Sequence, residues 1–260
     1  EKVGKLCKNK SHDFIDGSIF NENELYITVG QFTDRAPSIS NYKGMNIYYQ
    51  SIRKKKVDYL TTLDYIWRWD TDWFWCSKHF GVQNKLFRFF VPKKYLNSIT
   101  YFKIRVWNEK HQFIEKVGKI FGQKKTESVV QDVELPIKNC EEFIKFFHEE
   151  IGIKPVWMCP TQIINPKVKF DLYPMDSSKL YVNFGFWDVV KTNEEDGYYN
   201  KKIEKKVRTL NGKKSLYSTS FYSEDEFWKL YNEPVYKVLK KKYDTNKKFK
   251  NLYEKCVKRL

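Results

Sequence analysis

Runs rich in β-branched and aromatic residues, DFIDGSIF at 13–20 and LYITVGQF at 25–32, flank the polar NENE and predict a β-hairpin. Before them, Val3, Leu6 and Cys7 recur at helical spacing, as though the chain began inside a helix, so a truncated protein is expected. Residues 33–56 read as loop and surface. Over residues 58–80 the pattern predicts a helix: Tyr65, Trp69 and Trp73 stand at i, i+4 and i+8, and Asp64 and Arg68 form a favourably oriented i, i+4 pair. Its aromatics run nearly all round, which suits a helix buried on several sides or facing a ligand cavity. Residues 97–125 fit either element, because YFKIRVW alternates like a strand and the segment after it has helical spacing.

From residue 128 the pattern sharpens. SVVQDVELP predicts a strand ending at Pro136, and Asn139 with Glu142 predicts a capping-box start to a helix whose apolar face is Cys140, Phe143, Ile144, Phe147 and Ile151. PVWMCPTQI and KLYVNFGFWDVV predict two further strands. A helix with Ile203, Val207 and Leu210 on one side follows, is stopped by Asn211 and Gly212, and leads to a short strand in KKSLYS. The resulting β-α-β-β-α-β order predicts an α+β fold, an antiparallel sheet of split βαβ (ferredoxin-like) character with flanking helices. Ser223 and Glu226 form a second capping box with Tyr222 and Phe227 as its staple, and two amphipathic helices close the chain. The last of these would place Phe249, Leu252, Tyr253, Cys256 and Val257 on one face. Three segments are expected: 1–127, 128–222 and 223–260.

At 260 residues, with 41% hydrophobic and 18% aromatic residues, the chain can bury a real core. A net charge of +16 attracts anionic partners. The lysines lie in short scattered runs outside any helix-turn-helix, zinc-finger or RNP pattern, so they read first as solvated lysine faces and second as attraction to an anionic membrane surface, ahead of nucleic acid. Five scattered cysteines without a C-x-x-C pair suggest a reducing, intracellular setting, and the dispersed histidines suggest no metal. No run is long and apolar enough to span a bilayer.

No glycine-rich dinucleotide loop, P-loop or G-x-S-x-G elbow is present. Cys159, in WMCP, reads more readily as an inert strand cysteine than as a nucleophile. The aromatics around Trp67–Trp75 are as readily core as cavity wall, and a buried Arg68 among them would call on Asp64, Asp70 or Asp72.

The blocks ESVVQDVELPIKNCEEFIKFFHEEIGIKPVWMCP, LYVNFGFW and KSLYSTSFYSEDEFWKLY, with Arg68, Phe74 and Trp75 on an R-x-x-x-x-x-F-W pattern, resemble the C-terminal half of the FAD-linked oxidoreductases of the delta(24)-sterol reductase (diminuto or seladin) group. The likeness covers roughly residues 12–257. It implies the cap or substrate domain of a two-domain flavoenzyme of the vanillyl-alcohol-oxidase type, inactive alone and completed by an N-terminal FAD-binding module toward which residues 223–260 return. The expected reaction is reduction of an isolated double bond in a sterol-like lipid by hydride transfer from flavin N5, with NADPH as a possible electron donor. Tyr217 and Lys214 are the catalytic candidates, Ser215, Tyr217 and Ser218 the cofactor contacts, and Tyr65, Arg68, Trp69, Trp73, Trp157 and Cys159 the substrate wall. Relatives that oxidise sugar alcohols carry a substrate-facing lysine where this chain has SLYS, which weighs against that chemistry. Oxidation of a sugar alcohol or polyprenyl-phosphate sugar, and a noncatalytic basic module that binds a membrane or a partner, remain the alternatives.

Overall fold

In a computed structural model, residues 1–9, 11–111, 113, 116, 122 and 124–260 are described. They form two compact units, one of Glu1–Ile27, Glu127–Val190 and Glu194–Leu260, the other of Thr28–Thr126 and Lys191–Asn193.

The larger unit is built on a sheet in the order β2-β1-β4-β5-β3-β6. The predicted hairpin is present as β1 (Phe14–Asn21) and β2 (Glu24–Gly30), preceded by α1 (Lys2–Lys8). β3 (Lys125–Pro136), α6 (Cys140–Glu150), β4 (Val156–Thr161), β5 (Tyr181–Thr192), α7 (Tyr198–Thr209) and β6 (Lys213–Lys214) follow in the predicted order. The β4 register sets Met158 against Gly17 of β1 and Trp157 against Gly185 of β5, both antiparallel. The hairpin thus extends the edge that a lone split βαβ unit would leave bare.

One sheet face is mainly apolar by period-two alternation: Val129, Val133, Leu135, Val156, Met158, Val182, Phe184 and Phe186 are buried under α6 and α7, with Gln131 among them donating to Asn200 at 2.6 Å. Phe143 meets Phe184 at 5.5 Å between ring centres, and Phe147 meets Phe186 at 4.4 Å. Each such side chain contributes about 1.5–3 kcal/mol by leaving water.

One helix start departs from expectation. Asn139 makes no cap bond for α6, which follows a 3-10 turn; its Nδ2 donates instead to the Leu210 carbonyl at the end of α7, 2.7 Å away. At the start of α7, the backbone N–H groups of Tyr199 and Asn200 donate to the Glu127 carboxylate at 3.2 and 2.9 Å. A strand therefore supplies the anion this N-terminus favours. Gly197 precedes it at φ 77°, and a Cβ there would stand 2.2 Å from the Phe221 ring.

After β6 come α8 (Glu224–Leu230) and α9 (Glu233–Tyr243). The Ser223–Glu226 capping box forms, and Tyr222 and Phe227 pack in one cluster with Tyr231, Tyr253 and Cys256. Phe249 is not on that face; it is exposed ahead of the closing turn at Glu254–Lys258, and α9 is the last long helix.

In the smaller unit the helix expected over 58–80 is absent as one element. Only α3 (Thr62–Ile66) and a 3-10 turn (Cys76–Phe80) form, and Trp73, Phe74 and Trp75 between them take φ of 44°, 49° and 63°. The left-handed turn costs about 1–2 kcal/mol per residue. It folds the aromatics inward: Trp75 is fully buried, Trp69 stacks on Phe74 at 4.9 Å, and Tyr48 and Tyr49 of α2 (Tyr48–Ile52) close edge-on. Two further helices complete the unit, α4 (Lys85–Phe90) and α5 (Ser98–His111). YFKIRVW therefore lies on a helix, and most of residues 112–123 fall outside the described residues.

Candidate functional site

The alternation that buries one sheet face places another set of side chains on the opposite face. From β3 come Asp132 and Glu134, from β4 Trp157, Cys159 and Thr161, and from β5 Asn183, Gly185 and Trp187, with Ser215 and Tyr217 following β6. A hydrogen-bond network joins several of them. Asn183 Nδ2 donates to Asp132 Oδ1 at 3.1 Å, and Trp187 Nε1 donates to the Tyr217 hydroxyl oxygen at 2.8 Å. The Tyr217 hydroxyl is in turn hydrogen-bonded to the Asp132 carboxylate. Tyr173 donates to Glu134, and Ser215 Oγ donates to the same carboxylate at 3.3 Å.

Gly185 is required here, because a Cβ would stand 2.4 Å from the Trp187 ring and 2.6 Å from Asp132 Oδ1. Without one, the indole lies across β5 with its N–H reaching Tyr217, and Trp157 packs 6.3 Å from it.

Three groups on this face bind their protons more tightly than they would in water. Burial raises the Asp132 carboxyl above its ordinary value, against the opposing pull of the Tyr217 and Asn183 hydrogen bonds. Burial also raises Glu134, and the neighbouring Asp132 charge adds to it. The Tyr217 phenol rises well above 10 through withdrawal of its hydroxyl from water and the adjacent Asp132 carboxylate, although 56% of the residue is exposed.

Beside this network lies a hollow of about 500 Å³ between Thr161, Ile163, Val168, Phe170, Tyr173 and Met175. Its lining is mainly apolar, and it shares Thr161 with the polar face and Tyr173 with the Glu134 hydrogen bond. Among the described residues, the buried Asn183 Oδ1, Thr161 Oγ1 and Ser218 Oγ have no hydrogen-bond partner. An apolar cavity with a few convergent polar groups is the usual form of a small-molecule site.

The predicted site residues fall in two places. Tyr217, Ser215, Ser218, Trp157 and Cys159 lie in the larger unit, on this face or the turn beside it; Cys159 is half-buried, with its Sγ 3.8 Å from the Pro160 carbonyl. Tyr65, Arg68, Trp69 and Trp73 lie in the smaller unit. There Trp69 is core, and the Arg68 guanidinium stacks on Tyr65 at 3.8 Å. The buried arginine of this unit is Arg88, which meets Asp72 at 3.5 Å, while Asp64 pairs with Lys43.

Two expectations are corrected. β6 ends at Lys214, so Tyr217 rides on a turn and not on a strand. Lys214 does not steady Tyr217: it is fully buried on the helix side, where Nζ donates to Glu204 at 2.7 Å and to the Thr219 carbonyl at 2.5 Å. Asp132, Glu134, Asn183 and Trp187 were not singled out from the sequence. Period-two counting along VVQDVELP carries the signal, since it sets both carboxylates on the face opposite Val129, Val133 and Leu135.

Over 97% of its length the chain is 24% identical to the delta(24)-sterol reductase of Homo sapiens, the match covering 51% of that protein. The delta(24)-sterol reductase homolog of Caenorhabditis elegans is 23% identical over 98% of this chain and 51% of its own. For the delta(24)-sterol reductase of Arabidopsis thaliana the figures are 22%, 96% and 49%. The chain spans about half the length of these relatives, in keeping with a C-terminal half of that group. No protein-family model and no solved structure matches it.

Proposed function

We propose that this chain is the substrate-facing cap portion of an FAD-dependent reductase that saturates an isolated double bond in a sterol-like lipid. One observation carries the reading: Tyr217, held by the Trp187 N–H and set beside the Asp132 carboxylate, stands on a sheet face next to an apolar hollow. The similarity to sterol reductases supports the same substrate class.

Bound FAD would supply a hydride from N5, renewed from NADPH. The sequence has no glycine-rich dinucleotide loop, so the FAD phosphates would be held by polypeptide outside these residues. The neighbouring indoles of Trp157 and Trp187, tilted 35° to each other, and the unpartnered Asn183 Oδ1 and Ser218 Oγ would offer an apolar surface and acceptors to the side of a flat heterocycle.

Saturating a carbon–carbon double bond needs a proton as well as a hydride. Tyr217 holds its proton at neutral pH, Asp132 orients the hydroxyl, and the Trp187 N–H that donates to its oxygen would stabilise the phenolate left behind. The hollow would bind the apolar substrate and exclude water from the face. A lipid substrate and a strongly basic chain both suit work at an anionic membrane.

The test uses the polypeptide made from the uninterrupted reading frame that contains this chain. It should be yellow and should reduce a sterol side-chain double bond with NADPH, and Tyr217→Phe should lower kcat by about 10²–10⁴-fold with KM little changed. A colourless protein inert toward sterols, or a Tyr217→Phe variant with full kcat, would count against the proposal.

A further inference from the structure

In the smaller unit, α4 and α5 are turned inside out. On α5 the inward stripe is Ser98, Tyr101, Arg105 and Asn108, whereas Ile99, Phe102, Val106 and Trp107 are 65%, 49%, 45% and 50% exposed. On α4, Arg88 is 1% exposed while Leu86, Phe89 and Phe90 are 78%, 74% and 78% exposed. Arg88 fixes that orientation: it meets Asp72, and its Nε and Nη1 donate to the carbonyls of Gly44 at 2.7 Å and Val82 at 3.3 Å. Rolling α4 to hide its phenylalanines would strand a buried guanidinium.

Glu109 is the one acidic residue in the sequence of α4 and α5, and the other charged residues of these helices are basic. From Trp73 to Asn108 the sequence contains no Asp or Glu, and Lys85, Lys93, Lys94 and Lys103 are exposed among the apolar side chains. Aromatic and aliphatic groups interleaved with lysines complement a surface that is greasy beneath and negative above. Nucleic acid would supply the negative charge and rings to stack on, but nothing for Leu86, Ile99 and Val106 to enter. A second copy of this chain would bring like charge against like.

We propose that the α4–α5 face of the smaller unit is an interfacial anchor for an anionic bilayer. Phe89, Phe90, Leu86 and Trp107 enter the boundary between headgroups and acyl chains, and Lys85, Lys93, Lys94 and Lys103 meet the lipid phosphates and carboxylates. The anchor requires no spanning helix, and no described helix is long and apolar enough to cross a membrane. It stands apart from the flavin reading, because binding to lipid needs neither cofactor nor turnover.

The experiment is sedimentation of the full chain with vesicles of phosphatidylcholine alone or with about a quarter phosphatidylserine. Binding should be at least about tenfold tighter to the anionic vesicles and should weaken with added salt. Phe89→Asp with Phe90→Asp, and separately Lys93→Glu with Lys94→Glu, should each weaken it by about tenfold at unchanged melting temperature. Phe249→Asp, at an exposed aromatic of the larger unit, should bind as the unaltered chain does. Should a doubly substituted chain fail to fold, Leu86→Asn gives the same comparison at one exposed position. Equal binding to both vesicle types, or α4 variants that bind like the parent, would overturn the proposal. So would α4 substitutions that abolish self-association or RNA binding while leaving vesicle binding intact.

Discussion

Asp72 shows how far a carboxylate can be moved by its surroundings. It is 1% exposed, and burial pushes its carboxyl up to about 7, against the attraction of Arg88 and the hydrogen bond from Ser77. The unfolded chain loses that proton near pH 4, so between about 4 and 7 the folded protein binds a proton that the unfolded one has released. Stability from this group is full below that window and declines as pH rises through it. Urea midpoints at pH 4.5 and 7.5 should therefore fall further in the unaltered chain than in Asp72→Asn, in which this contribution to the slope is gone. Asp132 and Tyr217 obey the same rule of withdrawn solvent and adjacent charge, but there the shifted groups line a face with unpartnered acceptors. Tyr217 was legible as a candidate from residue blocks alone. Its partners Asp132 and Trp187, 85 and 30 residues away, were not, because only strand pairing brings them beside it.

Elements with local signals were the legible ones. The hairpin, α6, α7 and the capping box of α8 each announce themselves through periodicity or an end signal within a few residues. Ser223→Ala should lower stability by about 1 kcal/mol through loss of the Glu226 N–H partner, read as a lower denaturant midpoint with unchanged cooperativity. The stretch 58–80 misled for a physical reason. Helical spacing among Tyr65, Trp69 and Trp73 is real, but a single helix aromatic on every side cannot bury all its rings. The backbone instead turns left-handed at Trp73–Trp75, bringing Trp69 and Trp75 within 6.0 Å. The strand expected in KKSLYS ends at Lys214, whose side chain is held on the helix side by Glu204 and by the carbonyl of Thr219 as the chain turns back.

At the scale of the whole molecule, that buried pair ties three parts of the larger unit together. Lys214 of β6 meets Glu204 of α7, and both hold the segment that carries Tyr217, through the Thr219 carbonyl and the Phe221 N–H at 3.0 Å. Glu204→Gln alone should destabilise the protein by about 3–5 kcal/mol, since an unpaired ammonium would be left in the core. The double change Glu204→Leu with Lys214→Met should restore most of that loss in a denaturant titration, while altering the position of Tyr217 and hence turnover. The order of elements in the larger unit, the α+β class, the helix-facing core of the sheet and the basic charge were determined by the sequence alone, because period, end signals and composition act over a few residues. The pairing of β1 with β4, the gathering of Asp132, Tyr217 and Trp187, and the outward aromatics of α4 were decided only in the tertiary structure. Each depends on which distant side chain, such as Glu204 for Lys214 or Asp72 for Arg88, is present to satisfy a buried charge or fill a space.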